Sequence, residues 1–156
     1  MIAMLNQLLP RRIDNTYRGS RIALWLFGLI LLLRIVMSLG SIFNGYSVAS
    51  SADGIPLDTF PITAARTVVA LFALLGLSHF MICLLGILAL IRYRSMVPLM
   101  FALLLLQHLS RKLILQFLPI VRIGTPPGIY LNLILLALMI VGLALSLWSQ
   151  GNLQEG

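Results

Sequence analysis

Gln107, His108, Ser110, Arg111 and Lys112 lie inside an otherwise apolar run, Leu103 to Leu115. Cations and amides buried in hydrocarbon are costly, so they face a protein interior, a water pocket or a ligand. At about 100° per residue, Gln107, His108, Arg111 and Lys112 share an arc of about 140° on a helix, one coherent polar face. Two more polar groups interrupt apolar stretches elsewhere: Arg34, with Ser38 and Ser41 at helical spacing, and His79, on a stripe with Gly76, Cys83 and Gly86. That stripe is the small-residue composition expected where helices pack closely in lipid.

The chemistry open to this set is set by what it lacks. None of the four acids, Asp14, Asp53, Asp58 and Glu155, falls in an apolar run. Arg34 therefore has no carboxylate at its own depth, and an unpaired buried guanidinium is expensive. It needs backbone carbonyls, serines and Gln107, an inward-folded Asp53–Asp58 loop, a second subunit, or an anionic ligand such as a lipid phosphate or carboxylate. Arg111 and Lys112 have the further option of snorkelling to the interface. The seam expected to bind such a ligand comprises Arg34, Ser38, His79, Gln107, His108, Arg111 and Lys112, with Asp53 and Asp58 as counter-ions.

Two histidines at matching depth on antiparallel helices raise an alternative, a b-type haem with His79 and His108 as axial ligands and arginines on the propionates. No C-x-x-C-H is present, so covalent c-type attachment is excluded. A metal site of His79, Cys83 and His108 lacks a fourth ligand and an outer carboxylate, and no metal is expected. H-E-x-x-H, G-x-S-x-G and a glycine-rich phosphate loop are all absent. An enzyme would need Asp53 or Asp58 to reach the polar face, and the reading leans away from catalysis.

The elements that position these residues follow from composition. The chain has 156 residues, 60% of them hydrophobic and only 10% charged, with a mean hydropathy of +1.05. That is far above an ordinary soluble domain. Spans of about 20 apolar residues fit over about 22–43, 64–91, 96–117 and 129–148, so the expected fold is an all-α, antiparallel four-helix membrane bundle, a single domain over 1–156. The second stretch exceeds one span and implies tilt or an extramembrane turn. Residues 1–10 have the apolar spacing of a short interfacial helix, closed by Pro10 and followed by arginines. Ala49-Ser50-Ser51-Ala52 resembles a signal-peptide cleavage site, but the preceding apolar stretch is too long and contains Arg34, so a retained span is expected. Residues 45–63 read as turns and irregular loop.

The net charge of +7 reflects basic residues that flank apolar runs rather than a nucleic-acid surface. Arg11, Arg12, Arg18, Arg21, Arg92 and Arg94 collect on one side, which puts both termini in the cytoplasm of a bacterial-type inner membrane. The single cysteine excludes an intrachain disulfide. The halves show no repeat, so an inverted-repeat transporter has no support. The sequence thus points to a non-enzymatic accessory subunit or a binder of an anionic, lipid-like ligand. A single-haem electron carrier is the alternative and a small anion transporter the third. The expected partners are the bilayer and another subunit or a second copy of the chain.

Overall fold

Residues 15, 17 and 19–148 are described in a computed structural model of the chain. Four helices carry the architecture: α1 (Arg21–Phe43), α2 (Ile62–Arg92), α3 (Val97–Phe117) and α4 (Pro127–Trp148). All four are long and apolar enough to cross a membrane, and the described residues contain no strand. The protein is an all-α integral membrane bundle. The interfacial helix expected over residues 1–10 lies outside the described residues.

Local chemistry explains the boundaries. Ser20 caps α1, its hydroxyl accepting from the Ile22 N–H at 3.3 Å. Phe60 is extended before Pro61, from which α2 starts. Pro98 sits in the first turn of α3, where a missing N–H costs little. Leu118 leaves the helical region at the end of α3 because it precedes Pro119. Pro127 opens α4 for the same reason that Pro98 is tolerated.

Two expectations are refined. The second stretch is one unbroken helix of 31 residues, about 46 Å long and well beyond the roughly 30 Å hydrocarbon core. The segment expected as irregular loop is instead a chain of short helical turns, Gly45–Ser47, a π-turn over Val48–Ala52 and a 3₁₀ turn over Leu57–Thr59. Ala49, in the cleavage-site look-alike, is fully buried within them.

α1 packs most extensively on α2; α4 bridges α1 and α3, whereas α2 and α3 touch little beyond their shared tight turn at Arg94–Met96. The core fills between Phe27 of α1 and Phe101 of α3, whose ring centroids lie 4.9 Å apart and tilted by 58°. Gly142 of α4 makes room for the Phe101 ring, which a Cβ there would strike. Along α1–α2 the glycines of the small-residue stripe set the approach. A Cβ on Gly76 would meet the Ser38 carbonyl oxygen at 2.9 Å, and one on Gly86 would meet Leu31. Cys83 is fully buried between them. On α4, Met139, Gly142 and Ser146 are buried on the inward face.

At the end of the bundle opposite the Arg94–Met96 turn, the two long connections dock on each other. The Ile123 N–H donates to the Gly54 carbonyl at 2.9 Å. Gly54 adopts φ +72°, a left-handed conformation that favours glycine, and its α-carbon lies against Pro126. Gly128 of α4 closes the joint by admitting the Ala52 carbonyl beside it.

Candidate functional site

Arg34 lies 13 residues into α1 from Arg21, about 20 Å along the helix axis. Its guanidinium points across the bundle to α3 and α4. Nη1 donates to Gln107 Oε1 at 2.9 Å, and Nη2 approaches Met139 Sδ at 3.8 Å. An amide oxygen is a good neutral acceptor; a thioether sulfur is a weak one. No carboxylate reaches Arg34 among the described residues, where the one ion pair is Arg111 with Asp53.

Ser38 is buried but does not serve the guanidinium. Its hydroxyl donates to the Arg34 backbone carbonyl one turn earlier, at 2.7 Å, and Ser41 bonds Met37 in the same way. These serines satisfy themselves on their own helix. With that proton committed to α1, the Ser38 hydroxyl keeps only its acceptor capacity toward the seam.

The connection holding Asp53 and Asp58 folds inward, and its two acids part company. Asp53 Oδ2 comes within 3.6 Å of Arg111 Nη2, with the side chains 16% and 44% exposed. Arg111, not Arg34, thus receives the counter-ion. Asp58 instead accepts a hydrogen bond from the Tyr46 hydroxyl, which raises the pKa of that phenol. The docking of Gly54 on Ile123 and Pro126 is what carries Asp53 to α3.

Both imidazoles are half-buried and lie within electrostatic reach of Arg34 and Arg111; His108 also feels Lys112. His79, Cys83 and Arg34 share the α1–α2 seam. Lys112 is exposed beside Arg111. Among the described residues no three His, Cys, Asp or Glu side chains cluster as a metal site would require.

The site as built is a seam of one half-buried cation deep in a span, one amide, two imidazoles and, nearer the docked connections, a second cation with its carboxylate. It can hold negative charge and donate hydrogen bonds. Sequence reasoning missed Met139, whose thioether at helical spacing reads as ordinary core. It also missed Tyr17, whose hydroxyl donates to Ser146 Oγ at 3.0 Å and so pins the segment before α1 onto α4. Burial among these residues raises the Tyr17 pKa, and the Ser146 bond opposes that shift. No family model, curated protein or solved structure matches this chain.

Proposed function

We propose that the protein binds an anionic, lipid-like ligand in the basic seam and serves a non-enzymatic role in the membrane, as a binder of that ligand or as an accessory subunit that presents it. The observation that carries this reading is Arg34: a guanidinium deep in a span, held among the described residues only by an amide oxygen and a thioether. A phosphate or carboxylate is the partner its charge lacks, and Arg34 and Arg111 are suited to hold it by paired N–H donors. His79 and His108 offer ring N–H groups beside it, and Lys112 adds charge at the entrance. The weak packing of α2 on α3 leaves a route in from the bilayer.

In the sequence, Arg11, Arg12, Arg18, Arg21, Arg92 and Arg94 flank apolar runs on one side, against Arg66 and Arg122, with Arg111 and Lys112 if they snorkel, on the other. This bias supports placing the Arg94–Met96 end in the cytoplasm of a bacterial-type inner membrane. The test is native mass spectrometry of the detergent-purified protein. Anionic phospholipid that co-purifies with wild type and is lost from Arg34→Leu, with helix content unchanged, is the expected result. Equal retention by both proteins would remove the reading.

A second reading, a b-type haem between His79 and His108, is favoured by one observation: both imidazoles sit near the same two arginines, as iron ligands and propionate partners would. It requires a red preparation whose Soret band disappears in His79→Ala and in His108→Ala. A colourless protein from haem-supplemented cells rules it out.

A further inference from the structure

A groove of about 600 Å³ lies apart from the seam, where the docked connection meets the start of α2. Its volume falls in the roughly 300–1,000 Å³ range of ligand sites. Its floor is apolar, running from Leu57 and Phe60 down Val69, Ala70 and Ala73. Its rim carries two opposite charges, Arg66 and Asp58. These two do not pair with each other: the ion pair among the described residues is Arg111 with Asp53. One Asp58 oxygen accepts from Tyr46, another rim residue.

Depth identifies what such a groove meets. α2 is about 46 Å long against a core of about 30 Å, so its first turns extend to headgroup level. Arg66 is the fifth residue of the helix, and the alanines follow it toward the hydrocarbon. Charge at headgroup depth and an apolar trough below it match one amphiphile lying along the helix. The rim is not simply basic, as an anionic-lipid site would be.

We propose that this groove binds an aminophospholipid of the surrounding bilayer. The phosphate lies on the Arg66 guanidinium, the headgroup ammonium on the free oxygen of Asp58, and an acyl chain over Ala70 and Ala73. Tyr46 holds the Asp58 carboxylate in place for the ammonium. A choline headgroup has no N–H to donate to Asp58, and a glycerol headgroup has no cation. The specificity therefore resides in Asp58 and the affinity in Arg66.

The test reconstitutes the full chain in bilayers of equal parts phosphatidylethanolamine and phosphatidylglycerol and counts retained lipid by native mass spectrometry. In the Arg34→Leu background, which removes the anion site of the seam, the protein retains the ethanolamine lipid over the glycerol lipid at a ratio of up to about five to one, against one to one in the bulk, as one exposed ion pair supplies. Arg66→Gln loses that enrichment. Asp58→Asn removes the preference for ethanolamine and brings the glycerol lipid level with it or above. Both residues are exposed, so neither variant challenges folding. Arg34→Leu alone, which acts on the seam, lowers the retained glycerol lipid and leaves the retained ethanolamine lipid unchanged, so the two sites are tested separately. In the Arg34→Leu background, no preference, a preference for the glycerol lipid, or an unchanged ratio on adding Arg66→Gln or Asp58→Asn would each overturn the proposal.

Discussion

Arg34 and Gln107, 73 residues apart in the chain, meet through Nη1 and Oε1 at 2.9 Å and join α1 to α3 across the bundle. Those helices otherwise share little backbone approach; this bond and the Phe27–Phe101 contact join them directly, beside the bridge that α4 makes between them. An apolar surround strengthens such a bond, yet the unfolded chain in a membrane also finds partners for the amide. Interhelical hydrogen bonds are modest for that reason.

The first prediction concerns this pair. Gln107→Leu leaves a half-buried guanidinium with, among the described residues, only the Met139 sulfur, whereas Arg34→Leu with Gln107→Leu removes both polar groups. A double-mutant cycle on thermal unfolding in detergent should give a coupling of about 1–2 kcal/mol. The double variant should be at least as stable as Gln107→Leu alone. A coupling indistinguishable from zero would mean that the bond does not hold α1 to α3.

A second prediction separates the two glycines of the α1–α2 stripe. At Gly76 an added Cβ would lie 2.8 Å from Ser41 Cβ and 2.9 Å from the Ser38 carbonyl oxygen, and backbone cannot step aside. At Gly86 the obstacle is the branched end of Leu31, which can change rotamer. Gly76→Ala should therefore destabilise by about 1–3 kcal/mol and Gly86→Ala by less. Gly28→Ala, with its nearest neighbour at 3.6 Å, should be neutral. A reversed order of Gly76 and Gly86 in unfolding midpoint would contradict this packing.

How much of this was legible before the fold depends on which force sets each feature. The four spans were readable because a bilayer demands about 20 apolar residues per crossing and little else explains such runs. The Gly76, His79, Cys83 and Gly86 stripe was readable because close helix approach in lipid requires small residues at that spacing. The polar face of α3 was readable from its period, and Gln107 stood among the foreseen partners of Arg34. The identity of the partner of Asp53 was not readable. It depends on Gly54 docking against Ile123 and Pro126, a tertiary joint with no local signal beyond a glycine. The bond of Ser38 to its own helix was not readable, because spacing gives the face of a serine but not where its proton turns. The groove beneath Tyr46 and Asp58 arises from the same folded connection and was equally hidden.

The third prediction is a titration. The Tyr46 phenol is held above its usual pKa of about 10 first by its hydrogen bond to Asp58, then by burial and the nearby negative charge. A raised acid favours the folded protein below the unfolded pKa, and that contribution is lost as pH rises through the folded value. In ultraviolet titration Tyr46 should ionise later than a free phenol, and Asp58→Asn should bring it back down. Tyr17, raised by burial far from Asp58, should be unmoved by that substitution. If Asp58→Asn left the titration of Tyr46 unchanged, the bond would not be what shifts it.

The fourth prediction asks what Asp53 does for the seam. At 3.6 Å, with Arg111 nearly half exposed, the pair contributes about 1 kcal/mol or less to stability. Its larger effect is on the charge offered to a ligand. Asp53 neutralises Arg111 in the empty protein and competes with any anion that approaches it. Asp53→Asn should thus leave the unfolding midpoint nearly unchanged while raising retention of anionic lipid, by up to about five-fold if it releases the whole of such a pair. Arg111→Gln should lower retention, and added salt should shrink the difference between the two variants, because exposed charges are screened. If Arg111 merely snorkels to the interface, neither substitution changes the co-purifying lipid, and native mass spectra of the two variants are the same. A rise for Asp53→Asn with a fall for Arg111→Gln would make Asp53 an internal competitor that a bound anion must displace.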